Sequence, residues 1–286
     1  NGNEVNKRDR LSYAILHQVS GEYRGEFGDL TTVLGLRAPF FKRELNQNCF
    51  TTSAGGFVDC PAPGQDLSNY VDASFNDDHA APQSRTYNYD KLLPNIGLTF
   101  DFTPDASVFA NYAKGLSVPG TDPLYDSLYF ADSAIARPVP ETTDSFDLGL
   151  RFRSGNVEAQ LGAYYTRYEN RLAVAFDPEA NDGEGENVFR NLGRVDKYGV
   201  DGSVSWRPTF NSLLYVFGSY NDSEIKDDVQ DGFGPGGAPV FLPTGGKSES
   251  GTPTYSFGAR GQVAVGDFEF GAQVKHTGPR YLNDTN

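Results

Sequence analysis

The sequence predicts an all-β fold, a transmembrane antiparallel up-and-down β-barrel, with about ten of its strands in this chain. Three observations predict it. Apolar and polar residues alternate with period two over segments of about ten residues. Tight turns alternate with long loops along the chain. Aromatic rings gather near the segment ends.

The first pair of segments, 11–26 and 30–43, turns at Gly28-Asp29. Its alternation is poor: Leu16 and Val33 break it, and His17 falls on the otherwise apolar face. Segment 95–102 sets Ile96, Leu98, Phe100 and Phe102 against Asn95, Gly97, Thr99 and Asp101. It turns through Thr103-Pro104-Asp105 into 106–115. In 144–153, Phe146, Leu148, Leu150 and Phe152 share one face, while Ser145, Asp147, Gly149, Arg151 and Arg153 share the other. Successive side chains of a strand point to opposite sides, so this is one greasy face and one wet one. After Ser154-Gly155-Asn156, segment 157–168 repeats the pattern with Val157, Ala159, Leu161, Ala163 and Tyr165, and its run is able to extend to 176. Segments 198–207 and 212–222 join through Pro208-Thr209-Phe210-Asn211. Segments 255–265 and 268–277 join through Gly266-Asp267. The long loops are 46–86, 117–141, 177–188 and 226–252, rich in Gly, Pro, Asp, Asn and Ser. Phe102, Phe152, Trp206, Phe210 and Phe268 lie near the tight turns. Tyr112, Tyr165, Tyr168, Tyr198, Tyr220, Tyr255 and Tyr281 lie toward the long loops, as two headgroup-level girdles would.

Composition narrows the function classes. Lys and Arg number 24 against 38 Asp and Glu, a net charge of −14, so no nucleic acid partner is expected. No apolar run approaches the length of a transmembrane helix. Two cysteines are too few for a disulfide scaffold or a zinc site. The three histidines, His17, His79 and His276, are scattered, and no nucleophile-elbow, zinc-protease or phosphate-cradling motif occurs. No catalytic residue, metal or cofactor is therefore expected. The opening NGNEVNKRDR has no apolar core of a signal peptide, and methionine is absent, so the chain reads as an internal piece of a longer one.

Three segments in order resemble the barrel of TonB-dependent outer-membrane receptors, in its later part. LLPNIGLTFDFTPDASVFANYAKGLSVPG at 92–120 is similar to that family's strand, periplasmic turn and aromatic-Ala-x-Tyr-x-x-Gly strand. PETTDSFDLGLRF at 140–152 resembles its Pro-Glu strand. FRNLGRVDKYGVDGSVSWRP at 189–208 resembles its Asn-x-Gly, Tyr-Gly-Val and Trp-x-Pro pattern. The resemblance implies a 22-stranded barrel with a plugged lumen, of which residues 1–286 are one part, the plug domain and final strands lying elsewhere. It implies location in the outer membrane of a Gram-negative bacterium, among lipid and lipopolysaccharide. It also implies active uptake of a scarce or bulky solute, such as a siderophore, cobalamin or an oligosaccharide, with energy from TonB acting through the plug. A passive porin-type channel and a non-transport outer-membrane interaction protein share the alternation and remain the alternatives.

Candidate residues follow. Cys49 and Cys60 share the first long loop and are expected to pair, since the outer face of an envelope is oxidising. Tyr125, Tyr129 and Phe130, with Phe233 and Phe241, are the candidate ligand-stacking aromatics of the external loops. The acidic loop DPEANDGEGEN at 177–187 lacks calcium-loop spacing and reads as a solvated acidic loop. Asp101, Asp147, Arg151, Arg153, Glu158, Asp201, Arg207, Arg260, Glu269 and Lys275 fall on the polar, lumen-side face.

Overall fold

A computed structural model of the chain describes residues 8–53, 55–61, 64, 66, 79–132, 137–177, 186–233 and 239–286. In chain order its strands are β1 (Arg10–Phe27), β2 (Leu30–Gln47), β3 (Phe50–Thr51), β4 (Val58–Asp59), β5 (Gln83–Asp90), β6 (Leu93–Thr103), β7 (Ala106–Ser117), β8 (Glu141–Ser154) and β9 (Val157–Glu169). There follow β10 (Leu172–Asp177), β11 (Glu186–Asn191), β12 (Val195–Trp206), β13 (Ser212–Ile225), β14 (Val229–Phe233), β15 (Pro239–Leu242), β16 (Tyr255–Val265) and β17 (Phe268–Thr277). One short helix, α1 (Thr121–Asp126), lies between β7 and β8. No helix among the described residues is long and apolar enough to cross a membrane.

The main sheet runs β1-β2-β6-β7-β8-β9-β12-β13-β16-β17, with β5 also pairing β2. The ten path strands are the ten that alternation predicts, each within a few residues of its expected bounds. The chain divides into two compact units. The first comprises residues 1–20, 37–92 and 116–140, and the second 21–36, 93–115 and 141–286.

In the second unit the antiparallel register aligns the apolar residues in rows. Phe146, Tyr165 and Tyr198 stand opposite one another, then Leu148, Ala163 and Val200, then Leu150, Leu161 and Gly202. Phe152, Ala159 and Val204 complete the face. No second layer covers it: Phe146 is 48% exposed and Leu148 57%. An uncovered apolar face this wide is what hydrocarbon, not water, accommodates. The opposite face is polar, and Arg153 pairs there with Glu158, its direct cross-strand neighbour, at 3.1 Å. Phe109 also lies on that face, with the Arg151 guanidinium 4.2 Å from its ring centre.

The turns at one end are tighter than the sequence suggests. Ser154 pairs with Val157, so the turn is Gly155-Asn156 alone, and Gly155 takes φ 54°. Gly266 takes φ 58° at the turn between β16 and β17. Glycine at the first of two turn residues suits the twist of a hairpin without a Cβ penalty.

Three expectations are corrected. Residues 157–176 do not form one strand: β9 ends at Glu169, Asn170 takes φ 55°, and β10 pairs instead with β11. Segment 46–86 is not wholly loop, because β2 runs on to Gln47 and pairs β5, from Phe40↔Asp90 to Gln47↔Gln83. Tyr168 is not on the greasy face with Tyr165; it packs on the other side, against a buried cluster of Leu192, Val195, Ile225 and Val229.

Candidate functional site

In the first unit, β5 and the 117–141 segment build a small core. QSRTYNYD alternates, and Arg85, Tyr87 and Tyr89 are buried while Ser84, Thr86 and Asn88 are exposed. Tyr87 and Tyr89 pack with Leu45 of β2 and with Leu124, Tyr125 and Leu128. α1 is too short to be stable alone, so its C-terminal side and the 3-10 turn that follows it, Ser127–Tyr129, are fastened from outside. Arg85 donates from Nη1 to the Ser127 carbonyl at 2.9 Å and from Nη2 to the Phe130 carbonyl. Gln83 Nε2 donates to the Leu128 carbonyl at 2.8 Å. Ser127 Oγ donates to the Leu124 carbonyl at 2.6 Å and accepts from Tyr87. These donors satisfy carbonyls that a helix end leaves unpaired. Tyr89 donates to the Pro138 carbonyl at 2.9 Å; burial, and then Tyr87, pushes its phenol up to about 12.

Cys49 and Cys60 are bonded to each other, with Cα atoms 4.7 Å apart. Between them, Gly56 gives its carbonyl to Arg10 Nη2 at 2.8 Å. The Arg10 guanidinium in turn lies 4.3 Å over the Tyr125 ring. Asp126 sits against Gly56, where a Cβ would come within 2.1 Å of its Oδ1. Burial and the neighbouring Asp122 push the Asp126 carboxyl up to about 6, against the pull of Arg10.

In the second unit, a charged network lies on the polar side of the long-loop strand ends. Arg171 donates to Glu141 at 3.1 Å and to Glu249 at 2.9 Å, and Lys197 meets the other Glu249 oxygen at 2.5 Å. Both cations flank the Tyr168 ring, at 4.5 and 5.4 Å from its centre. Burial works against the Arg171 charge, but Glu249 and Glu141 outweigh it and hold the guanidinium above its usual range. The Arg171 backbone also exchanges hydrogen bonds with Leu192 and Gly193. These contacts brace three connecting segments; they assemble no nucleophile with a base.

The sequence-selected aromatics fall in different settings. Tyr125 is 1% exposed and forms part of the loop core, its hydroxyl directed to the Asn46 carbonyl at 3.3 Å. Tyr129 is half-buried and meets Phe130 edge-on at 5.4 Å between centres, with Phe130 exposed. Phe241 is exposed on β15. The Phe233 side chain and most of the acidic loop 177–187 lie outside the described residues. Among the described residues, no group of three or more His, Cys, Asp or Glu side chains has metal-holding geometry. Sequence reading passed over Arg85, Arg171 and Glu249. Only the alternation of QSRTYNYD signals any of the three, since Arg171 and Glu249 meet across 78 residues.

A family model described as TonB dependent receptor-like, beta-barrel matches residues 2–286. The ferric aerobactin receptor of Klebsiella pneumoniae is 27% identical over 135 residues, 42% of this chain and 17% of that protein. The rhizobactin receptor of Rhizobium meliloti (strain 1021) is 24% identical over 159 residues, 49% of this chain and 19% of that protein. Two solved structures share the fold. The siderophore receptor PiuA from Acinetobacter baumannii has a TM-score of 0.68 at 16% identity, over 97% of this chain and 35% of that one. The copper transporter OprC has a TM-score of 0.68 at 13% identity, over 96% and 37%. The matches thus span less than a fifth of the curated relatives and about a third of the solved structures. The family is one of transport receptors of the Gram-negative outer membrane, not of enzymes. With its alternating strands, its uncovered apolar face and a family match over nearly every residue, the chain belongs to the TonB-dependent receptors, in their β-barrel.

Proposed function

We propose that this chain is part of the wall of an outer-membrane receptor that takes up a ferric siderophore with energy from TonB. The observation that carries the membrane part is the uncovered apolar face of β8, β9 and β12, with charge confined to the other face and to the strand ends. The siderophore part is supported by the relatives, named a ferric aerobactin receptor and a rhizobactin receptor, and by a neighbouring structure named a siderophore receptor. Cobalamin and oligosaccharides are the remaining members of the same bulky-solute class. TonB would act through a plug domain encoded outside residues 1–286, and the lumen-side charges would face that plug or water. Outer-membrane lipid and lipopolysaccharide would surround the apolar face. In this reading Tyr129, Phe130, Phe233 and Phe241 offer rings to the ligand, and Tyr125 holds the loop that presents the first two.

The test is uptake of radioiron as ferric aerobactin or ferric rhizobactin by cells carrying the intact receptor. The proposal expects accumulation that disappears when TonB is deleted. Accumulation that persists without TonB would favour a passive channel. No accumulation of any ferric siderophore, with the protein present in the outer membrane, would remove the substrate assignment.

A further inference from the structure

Charge is divided unevenly between wall and loops. The four long loops, 46–86, 117–141, 177–188 and 226–252, hold 18 of the 38 Asp and Glu but 4 of the 24 Lys and Arg, a net −14. The rest of the chain carries 20 of each and is neutral. The whole net charge of the chain therefore belongs to the long loops. Loops 46–86 and 117–141 contribute −7, and loops 177–188 and 226–252 another −7, so no single acidic run accounts for it.

The cations that the structure gathers at the long-loop ends of the strands add no positive surplus. Lys114 binds Asp144 at 2.9 Å, and Arg167 stands in register with that same acid. Arg194 holds Asp196 at 2.9 Å, and Arg171 with Lys197 is matched by Glu141 and Glu249. Three of the four loop cations are also engaged. Arg85 is taken up by the Ser127 and Phe130 carbonyls, Arg137 by Asp132 at 2.9 Å, and Lys226 by Glu224 at 2.5 Å. Lys247 is the fourth.

Several loop acids are in the opposite state. Asp122 and Asp126 of α1, and Asp227 and Asp228 just after β13, make no ion pair among the described residues. Asp227 and Asp228 accept from backbone amides instead, those of Arg194 at 3.4 Å and Gly245 at 2.9 Å. An amide hydrogen bond leaves the negative charge in place. At Asp126 the nearby Asp122 adds to the burial that raises the carboxyl, as uncompensated negative charge does.

We propose that the acidic long loops set the charge class of the solute: they draw in cationic complexes and slow the capture of anionic ones. The inference rests on the uptake reading, with the long loops facing outward. A surface of one sign concentrates solutes of the other sign and speeds their association by about 10- to 1,000-fold, an effect that salt screens. A ferric complex that carries an ammonium group on its outside is attracted along its approach. One that carries free carboxylates is repelled, and the cations it would need are already held by Asp144, Asp196, Glu224, Glu141 and Glu249.

The test uses the intact receptor in detergent and three ferric trihydroxamates built on one framework. They are ferrioxamine B with its free ammonium group, the same complex acetylated at that nitrogen, and the same complex succinylated there, so that positive, neutral and negative forms are compared. Stopped-flow association at low ionic strength, with magnesium present, should be fastest for the ammonium form and slowest for the succinylated one, by about tenfold or more. Molar salt should remove most of that spread. Asp122→Asn with Asp126→Asn should narrow it about twofold. Asp267→Asn, in a tight turn at the other end of the strands, should leave it unchanged. A fluorophore at Ala131→Cys or Thr252→Cys should be quenched more by caesium and less by iodide than one at Phe210→Cys in a tight turn, which reads the field with no ligand present. Equal association of the three complexes, faster association of the succinylated form, no binding of the ammonium form, or equal quenching at the three labels would overturn the inference. Uptake separates the two ideas. Association ranked by charge without TonB-dependent uptake leaves the charge preference standing while the transport reading falls, and TonB-dependent uptake with no ranking by charge does the reverse.

Discussion

Gly149 shows why a barrel wall spends glycine in mid-strand. A Cβ there would lie 2.4 Å from the Phe109 ring of the neighbouring strand and 2.8 Å from the Leu161 carbonyl oxygen. The Phe109 ring covers the bare backbone and carries Arg151 on its outer side. Gly199 repeats the device beneath Tyr164, and Gly258 beneath Phe217. Such aromatic cover offsets part of the cost of glycine in a strand and pins the register. Gly149→Val should displace Phe109 and destabilise the receptor by about 1–3 kcal/mol, as overpacking does. Denaturant unfolding in detergent measures it, and an unchanged midpoint would dismiss the packing argument. Asp126 gives the second residue-scale prediction. Its carboxyl rises from 3.8 to about 6 on folding, so the folded loop favours the neutral acid. The ionised acid therefore weakens the loop fully above about pH 6, and the penalty vanishes as pH falls toward 4. Asp126→Asn should strengthen the loop at pH 7 by on the order of 1 kcal/mol, allowing for solvent screening, and flatten its pH dependence. Hydrogen exchange at 121–128, corrected for intrinsic rates, reads this; identical slopes in both proteins would refute it.

At the scale of elements, the wall strands were legible because one buried-in-lipid face forces strict period two. Segment 145–153 states its own orientation in four apolar and five polar or small residues. The first pair was less clear, since Leu16 and Val33 break its rhythm, yet β1 and β2 still form. What failed to show was structure made by long-range contact. β5 contains no aliphatic residue, and its buried side, Arg85, Tyr87 and Tyr89, looks like loop until Leu45 and Leu128 cover it. α1 spans six residues, too few for a helical period, and is held by the packing of Leu124 and Tyr125 on Leu45, Tyr87 and Tyr89, with Arg85 and Gln83 fastening the turn just after it. The family-like motifs acquire physical meaning only in three dimensions. Asn191 accepts from the Gly193 amide at 2.9 Å, Gly193 takes φ 65°, and its carbonyl receives the Arg171 amide. Glu141, of the Pro-Glu segment, caps the Leu172 amide at 2.9 Å. The pairing of Cys49 with Cys60 shapes the 49–60 loop on which Arg10 and Asp126 lean. Replacing both cysteines by serine should loosen that loop by about 3 kcal/mol in the chain-entropy model. Limited proteolysis should then cut within 49–60 while β8–β9 resists, and equal resistance of the loop in both forms would count against this role.

For the whole molecule, the two sides of the wall obey opposite solvents. Rows from Trp206 and Val157 at the tight-turn end to Tyr198 and Tyr165 at the other lie eight residue steps apart, about 26 Å along the strand. That matches the apolar band of an outer-membrane barrel, which is about 25 Å tall. A soluble sandwich packs such a face against a second sheet, whereas a membrane-spanning wall leaves it to lipid. The most direct measurement is nitroxide accessibility in the intact receptor reconstituted in bilayers, with single labels at Leu148→Cys and Ser203→Cys and the native disulfide left oxidised. The account predicts that the label at 148 collides with oxygen and is shielded from a water-soluble nickel chelate, while the label at 203 shows the reverse preference or contact with protein. A label at 148 as open to the nickel chelate as one in an exposed loop would contradict it.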